Sequence, residues 1–384
     1  MSILIFIIIL LVLVLVHESG HFFTAKSFGI RVDEFGFGFP PKLFSKKIGE
    51  TEYSINALPF GGFVKIFGET FEEADTLDIG FIEGKDIAAP KSEDFSRSLV
   101  SKPAWKQALV LFAGIFANFL LAWLLFSFGF MSGLPTSADS AIAGTKVSDI
   151  HLVIISILPK SPAENAGLKV GDKIISMSLP ASSKSADTVE NPNPDQVQNI
   201  IASYGARGKG GVGIKYNRAG EENYVIINPD VIAGKPHIGI SMDMIGTAKL
   251  PFFTALVQGM RLDWQMTKNT AVGLYTLIAD GVRGHGSFSA VTGPVGMVGI
   301  VGDAYKFGFA YLLSFAALIS INLAIINIIP FPALDGGRLF FLLIEKIKGS
   351  RINPKVANMA NMIGFSVLIL LMLIITYHDV IKFF

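Results

Sequence analysis

Four long apolar stretches constrain the fold of this chain more than any other feature. A helix needs about 20 mostly apolar residues to cross a bilayer. Suitable stretches run from about Ile3 to Phe23, Trp105 to Met131, Phe307 to Ile329 and Asn361 to Tyr377. Only 16% of the 384 residues are charged, against about a quarter in soluble domains. The sequence therefore predicts a polytopic α-helical membrane protein with four transmembrane helices.

The first apolar stretch is either a cleaved signal peptide or a retained helix. A signal peptide starts with basic residues and ends at a cleavage site of small residues. No Lys or Arg precedes Lys26, and the apolar run continues directly into His17-Glu18-Ser19-Gly20-His21. We therefore expect a retained helix.

The distribution of Lys and Arg predicts how the helices are oriented. Basic residues cluster in the connection between the first two spans and in the connection between the last two, and such connections face the cytoplasm. Both chain termini and residues 132–306 should then lie outside. A net charge of +1 gives no indication of a nucleic-acid partner.

The connections between the spans suggest further structure. Residues 34–66 contain two β-prone runs around a charged turn, which predicts a hairpin. Its apolar base favours re-entry into the membrane beside the first helix, and a surface hairpin is the alternative. Residues 69–97 are polar and predicted to be a loop. Residues 251–283 mix apolar and charged residues, which is typical of an interfacial amphipathic helix rather than a fifth span.

The exterior region has the pattern of a compact α/β module. Strand-like runs occur at Leu152–Leu158, Gly213–Tyr216 and Tyr224–Asn228, with a helix at Asp195–Tyr204 and a polar insertion near Pro180–Pro194. We therefore expect four regions. Residues 1–131 carry two spans and the hairpin, 132–250 the exterior module, 251–306 the interfacial segment, and 307–384 the last two spans.

The end of the first apolar stretch carries a metal-binding pattern. His17 and His21 are four residues apart and so share one face of a helix, where both imidazoles can reach one ion. Glu18 is placed to exchange a proton with water activated by Zn²⁺. Polar groups at such depth are costly and tend to mark function. At 1.5 Å per residue, the fourteen residues before His17 span roughly 21 Å of a core about 30 Å thick, which puts the site inside the membrane.

A catalytic zinc usually takes three protein ligands, so one more is required. The chain has no cysteine. Asp335 is the best candidate, because it follows the third span on the same predicted side as His17. Pro330 and Pro332 break the helix before it, and the two glycines after it permit a tight turn. The alternative is an Asp that only caps a helix.

Taken together, these motifs resemble the site-2 protease family of intramembrane zinc metalloproteases, particularly the bacterial regulator-of-sigma-E protease branch. The resemblance rests on the His-Glu-x-x-His run, on Asn-x-x-Pro-x-Pro-x-Leu-Asp-Gly at 327–336, and on a PDZ-like module whose signature is Gly-Leu-x-x-Gly-Asp-x-Ile at 167–174.

The resemblance implies a role for each matching residue. His17, His21 and Asp335 would bind zinc, with Glu18 as general base. Asn327 would hold the substrate backbone. A Gly-x-x-x-Asn element at Gly114 and Asn118 would lie near the site and the substrate, and a small residue at a helix crossing is the alternative for Gly114.

The resemblance also implies partners and a location. The protein would be a multi-pass protein of the bacterial inner (cytoplasmic) membrane, with the PDZ-like domain extracytoplasmic. Its hairpin would pair with an unwound substrate strand, and the PDZ-like domain would bind extended peptide. Substrates would be single-span membrane proteins, such as anti-sigma factors or remnant signal peptides.

Two other functional classes are alternatives to a zinc protease. A non-catalytic membrane PDZ receptor would hold a structural zinc in a closed site with four ligands. An intramembrane aspartyl protease needs two Asp residues embedded in the membrane, and only Asp335 is well placed. Both fit the sequence less well than a zinc protease.

Overall fold

A computed structural model describes residues 1–69, 95–138, 147–179, 188–207, 211–218, 220–232, 235–284, 292–306 and 308–382. Among them, four helices are long and apolar enough to span a membrane, which confirms the predicted number of spans. They are α1 (Ser2–Ser27), α2 (Ala104–Ser132), α7 (Phe309–Ile328) and α9 (Pro354–Lys382). Phe307, the predicted start of the third span, lies outside the described residues.

The region between α1 and α2 is a long antiparallel hairpin. Strands β1 (Val32–Ile48) and β2 (Thr51–Ile66) pair antiparallel and fold back on each other, so that residues 34–37 pair both with residues 52–55 and with residues 62–65. Most of the loop predicted at residues 69–97 lies outside the described residues, and Phe95–Arg97 form a short 3-10 helix. The buried residues Ala25, Ile30 and Val110 pack with Val32 and Ile66. This packing fixes the base of the hairpin where α1 ends.

The chain divides into two compact units, and one of them consists mainly of residues 128–258. Its strands are β3 (Leu134–Ser137), β4 (Val147–Ile157), β5 (Lys173–Ser178), β6 (Thr188–Glu190), β7 (Val212–Arg218), β8 (Glu221–Ile227), β9 (Asp230–Ile232), β10 (Lys235–His237) and β11 (Ile240–Ala248). Two helices accompany them, α3 (Pro162–Asn165) and α4 (Pro194–Arg207). Residues 180–187 of the predicted polar insertion lie outside the described residues.

The strands of this unit form one large antiparallel sheet and a small hairpin. The sheet order is β3-β11-β4-β5-β7-β8, with β6 paired to β5, and β9 pairs with β10. The core contains Ile154, Ile174, Val197 and Ile214 among other buried apolar residues. Strand β11, the last of this unit in the sequence, lies between β3 and β4, and its register with β4 places Ile240 opposite Ile157.

The other unit contains the spans and the remaining helices. Residues 251–283, predicted to be an amphipathic helix, include α5 (Phe252–Val282), and α6 (Pro294–Lys306) follows. Buried Leu13 of α1 packs with Val301 of α6 and Ile319 of α7. A short broken segment after α7 leads into α8 (Asp335–Lys348). This arrangement puts the start of α8 beside α1.

Candidate metal centre

The His and Asp side chains predicted as ligands converge on one point. His17 Nε2 lies 3.0 Å from Asp335 Oδ2, and His21 Nε2 lies 3.3 Å from the same oxygen. The two Nε2 atoms are 3.2 Å apart. Donor atoms about 2 Å from a tetrahedral zinc are about 3.3 Å from one another. The three donor atoms therefore fit one face of a tetrahedron around a zinc ion.

The imidazoles are buried within the spanning helices. His17 is 7% exposed and His21 5%. Residues His17, His21 and Asp335 form the one group of three potential metal ligands found among the described residues. A site with three protein ligands leaves a fourth position for water or substrate, as catalytic zinc sites do.

Helix α2 supplies the hydrogen bonds that orient both imidazoles. His21 Nδ1 lies 2.8 Å from the Val110 carbonyl oxygen, which can only accept, so Nδ1 carries the hydrogen and Nε2 is free for a metal. Asn118 is fully buried, and its amide lies 3.2 Å from His17 Nδ1. These contacts hold the Nδ1 side of each ring against α2, so that both Nε2 atoms face Asp335.

The amide of Asn118 has a defined orientation when His17 binds a metal. Its Nδ2 faces His17 Nδ1, and its buried Oδ1 has no hydrogen-bond partner among the described residues. Rotation of the amide exchanges the positions of its acceptor oxygen and donor nitrogen. Metal binding at Nε2 leaves a hydrogen on Nδ1, so the exchanged orientation, with Oδ1 accepting, satisfies both groups.

Gly114 is the residue that lets α2 approach His21. A Cβ at this position would overlap the His21 imidazole, and a Cβ at Gly20 would overlap the Ala113 backbone. The two glycines face each other where α1 crosses α2, and small residues allow such close helix contact. The structure thus places Gly114 directly against a predicted zinc ligand.

We expect Gly114→Ala to weaken zinc binding by about 10- to 100-fold, the usual effect of disturbing the groups that orient a ligand. The added methyl group must push the imidazole away from Asp335. Gly273→Ala in α5 is the matched control, because nothing lies within 4 Å of a Cβ built there. Zinc content of the purified variants after dialysis against a graded chelator measures the effect. Equal zinc retention in both variants would show that the added methyl group fits without displacing the imidazole from the other two ligands.

The segment that carries Asp335 is held by its own turn and by α9. A Cβ at Gly336 would overlap the carbonyl oxygens of Ile328 and Ile329. Ala333 has a φ of 76°, an uncommon conformation for a residue with a side chain. Its backbone N–H donates to Asn361 Oδ1 of α9 over 3.1 Å. Asn361 is therefore part of the support for the third ligand, and the sequence pattern did not indicate it.

Glu18 lies on the face of α1 that the hairpin covers. A Cβ at Gly62 of β2 would lie 3.3 Å from Glu18 Cγ and 2.9 Å from a methyl group of Val14. One turn further along α1, the Phe22 ring packs edge-on against Phe35 of β1 at 5.3 Å between ring centres. The absence of a side chain at Gly62 lets the backbone of β2 pass beside the predicted general base.

The turn of the hairpin is tied to the end of α1 by charge. Glu50 lies between the strands, with Oε1 2.5 Å from Lys26 Nζ and Oε2 2.6 Å from an Arg97 nitrogen. The hydrogen bond from Lys26, with that from Arg97, holds the pKa of the Glu50 carboxyl below its usual range. The carboxylate is therefore ionised at neutral pH and joins three segments.

Asn327, predicted to hold substrate, is half-buried in the last turn of α7. None of the described hydrogen bonds joins it to His17, His21 or Asp335. The predicted substrate contacts of Asn327, Asn118 and Gly114 stay predictions. Sequence reasoning missed the Val110 carbonyl oxygen that orients His21. Every residue has a backbone carbonyl, so no residue type in the sequence indicates this contact.

The sequence matches a known protein family along most of its length. Residues 5–371 match Peptidase family M50. The chain is 33% identical to a Clostridium perfringens relative that is named as a zinc metalloprotease, over 96% of this chain and 95% of the relative. It is 29% identical to the zinc metalloprotease RasP of Geobacillus kaustophilus, over 100% of this chain and 98% of that protein.

A third relative is named for a regulatory role. The regulator of sigma-W protease RasP of Bacillus subtilis is 29% identical, over 99% of this chain and 98% of that protein. The family match and the full-length relatives agree with the ligand geometry and the four apolar helices. The chain therefore belongs to Peptidase family M50 and is a multi-pass membrane zinc metalloprotease.

Proposed function

We propose that this metalloprotease hydrolyses peptide bonds within or near the transmembrane segments of single-span membrane proteins. The observation that carries the proposal is the convergence of His17, His21 and Asp335 inside an apolar helix bundle, with Glu18 on the same turn of α1. A site so placed acts on chains that themselves enter the membrane.

The roles of the chain's own residues follow from their positions. His17, His21 and Asp335 would hold zinc, which when bound polarises a scissile carbonyl and acidifies water. Glu18 takes the proton of the attacking water and delivers it to the leaving amine. Asn118 and the Val110 carbonyl keep the imidazoles in the tautomer that presents Nε2. Asn327 is positioned by α7 to bind the backbone of the substrate.

The hairpin is proposed to enter the membrane and hold the substrate. Its outer surface carries exposed apolar side chains, as a membrane-facing element would: Leu43, Phe44, Ile48, Ile55 and Leu58. A transmembrane helix hides its amides in its own hydrogen bonds, so it must unwind before hydrolysis. An extended strand beside Glu18 offers those amides new partners.

The exterior sheet unit is proposed to be a PDZ-like, peptide-binding domain. Strand β11 pairs with β4 along one side. On its other side, β3 pairs only with residues 245–248, so among the described residues no strand pairs there with residues 240–243. Helix α4 packs against β10 and β11. A free strand edge beside a helix suits binding of an extended peptide by strand addition. The Asp172 carboxylate of the signature is buried against Arg218.

Location and substrates complete the proposal. The basic connections favour a position of the sheet unit on the outer side of a bacterial cytoplasmic membrane. The substrates are anti-sigma factors or remnant signal peptides, and the sigma-W regulator among the relatives favours the first. The competing function, a PDZ receptor with structural zinc, requires a fourth protein ligand, and the cluster found in the described residues has three.

The test uses full-length protein in detergent with a single-span model substrate. We expect cleavage that a zinc chelator abolishes and added zinc restores, with product masses that map the cut to the membrane segment or its border. A cut confined to an exterior loop would contradict the membrane assignment. Zinc-replete protein that leaves every single-span substrate intact, while binding peptide at the sheet unit, would favour the receptor.

A further inference from the structure

An arginine and a glutamate join the hairpin to the helix that carries Asp335. Arg338 of α8 forms an ion pair with Glu69 through Nη1 and Oε1, and its Nη2 donates to the Glu69 carbonyl oxygen over 2.7 Å. The other carboxylate oxygen of Glu69 accepts from the Ile66 backbone N–H over 3.3 Å. One guanidinium thus binds both the side chain and the backbone just beyond the end of β2.

The two residues occupy informative positions. Arg338 follows Asp335 by three residues, about one helical turn. Glu69 follows Ile66, the last residue of β2, and β2 is the strand whose Gly62 passes beside Glu18. The pair therefore connects the third metal ligand's helix to the strand next to the general base.

The chemistry of the pair favours a fixed geometry. The side chains are 25% and 17% exposed, so the contact is only partly screened by solvent. A planar guanidinium presents its N–H groups in a rigid fork, and charge-assisted bonds of this kind are stronger than neutral ones. The Glu69 carboxylate also lies within electrostatic reach of Glu18. Arg338 balances that second negative charge near the site.

We propose that Arg338 and Glu69 are positioning residues that clamp β2 against the active site. The clamp sets the distance between the strand that receives the substrate backbone and the Asp335 side of the metal centre. This inference rests on the proposed intramembrane proteolysis. Neither residue is a metal ligand or touches the reacting atoms, so the clamp acts on substrate alignment.

The first test compares variants of the full-length protein on the model substrate. Arg338→Ala and Glu69→Ala are expected to lower kcat/KM by about 10- to 100-fold, since small misplacements of a reacting segment have effects of this size. Arg338→Lys keeps the positive charge but cannot bind the Glu69 carboxylate and carbonyl oxygen through two fixed nitrogens, so its kcat/KM should lie between those of Arg338→Ala and the unmodified protein. Zinc content should equal that of the unmodified protein. Lys215→Ala is the matched control, because it removes an exposed ion pair with Glu222 in the sheet unit and leaves the hairpin intact.

The second test restores the clamp covalently. The chain contains no cysteine, so a Glu69→Cys/Arg338→Cys double variant has one reactive pair. A short bis-maleimide that bridges these thiols should return most of the lost activity, whereas a mono-maleimide should not. A misfolded variant would not recover, so recovery separates positioning from general destabilisation.

Two results would overturn the clamp. One is unchanged kcat/KM in both alanine variants, and the other is a bridged protein as inactive as the unbridged one. Failure of the proposed function is distinct, because the unmodified protein would then leave the substrate intact.

Discussion

Glu18→Gln protein should bind zinc as well as the unmodified chain and cleave the model substrate about 10²- to 10⁴-fold more slowly, the usual contribution of a general base. The amide has nearly the shape of the carboxylate but cannot accept the proton of the attacking water. Zinc should remain because none of the three converging donor atoms belongs to Glu18. Single-turnover cleavage rates and zinc content on the same samples measure both effects.

The control is a glutamate outside the spanning helices. Glu222→Gln removes an exposed carboxylate that pairs with Lys215 in the sheet unit, and it should leave the cleavage rate unchanged. Cleavage by Glu18→Gln at the rate of this control would remove Glu18 from the mechanism. Loss of zinc from Glu18→Gln would assign it a role in metal binding instead.

The spans and the metal ligands were predictable because they depend on local pattern. Apolar length alone locates the four spans, although the first helix continues beyond the predicted end at Phe23 to Ser27. The spacing of His17 and His21 defines a shared helix face whatever the rest of the fold does. Asp335 required a further argument from depth and helix breakers, and the contact with the imidazoles agrees with it.

The support around the metal was not predictable from one sequence, because it depends on contacts between distant segments. Val110 orients His21 through a backbone carbonyl, which any residue could supply. Asn361 lies 28 residues after the Ala333 amide it binds, and Arg338 is separated from Glu69 by 269 positions. Strand β11 joins the sheet between β3 and β4, which lie about a hundred residues earlier in the chain. Hydrophobic periodicity reports the local secondary structure of a segment, and it does not indicate which distant segment that segment contacts.

Asp335→Asn should lose zinc and activity together. The amide is similar in size but uncharged, and two imidazoles alone do not complete the usual three-ligand set of a catalytic zinc. Disturbing an orienting group already lowers metal affinity by about 10- to 100-fold, so removing a ligand should weaken zinc binding by about 100-fold or more. Competition with a chromophoric chelator measures the affinity, and the cleavage assay measures the activity.

Asp280→Asn provides the control, because Asp280 is an exposed residue of α5. It should keep full zinc affinity. Excess zinc should return part of the activity of Asp335→Asn if the only defect is affinity, since Glu18 and both imidazoles remain in place. An Asp335→Asn protein with normal zinc affinity would show that the third ligand comes from elsewhere, and the 3.0 Å contact with His17 would then be only a hydrogen bond.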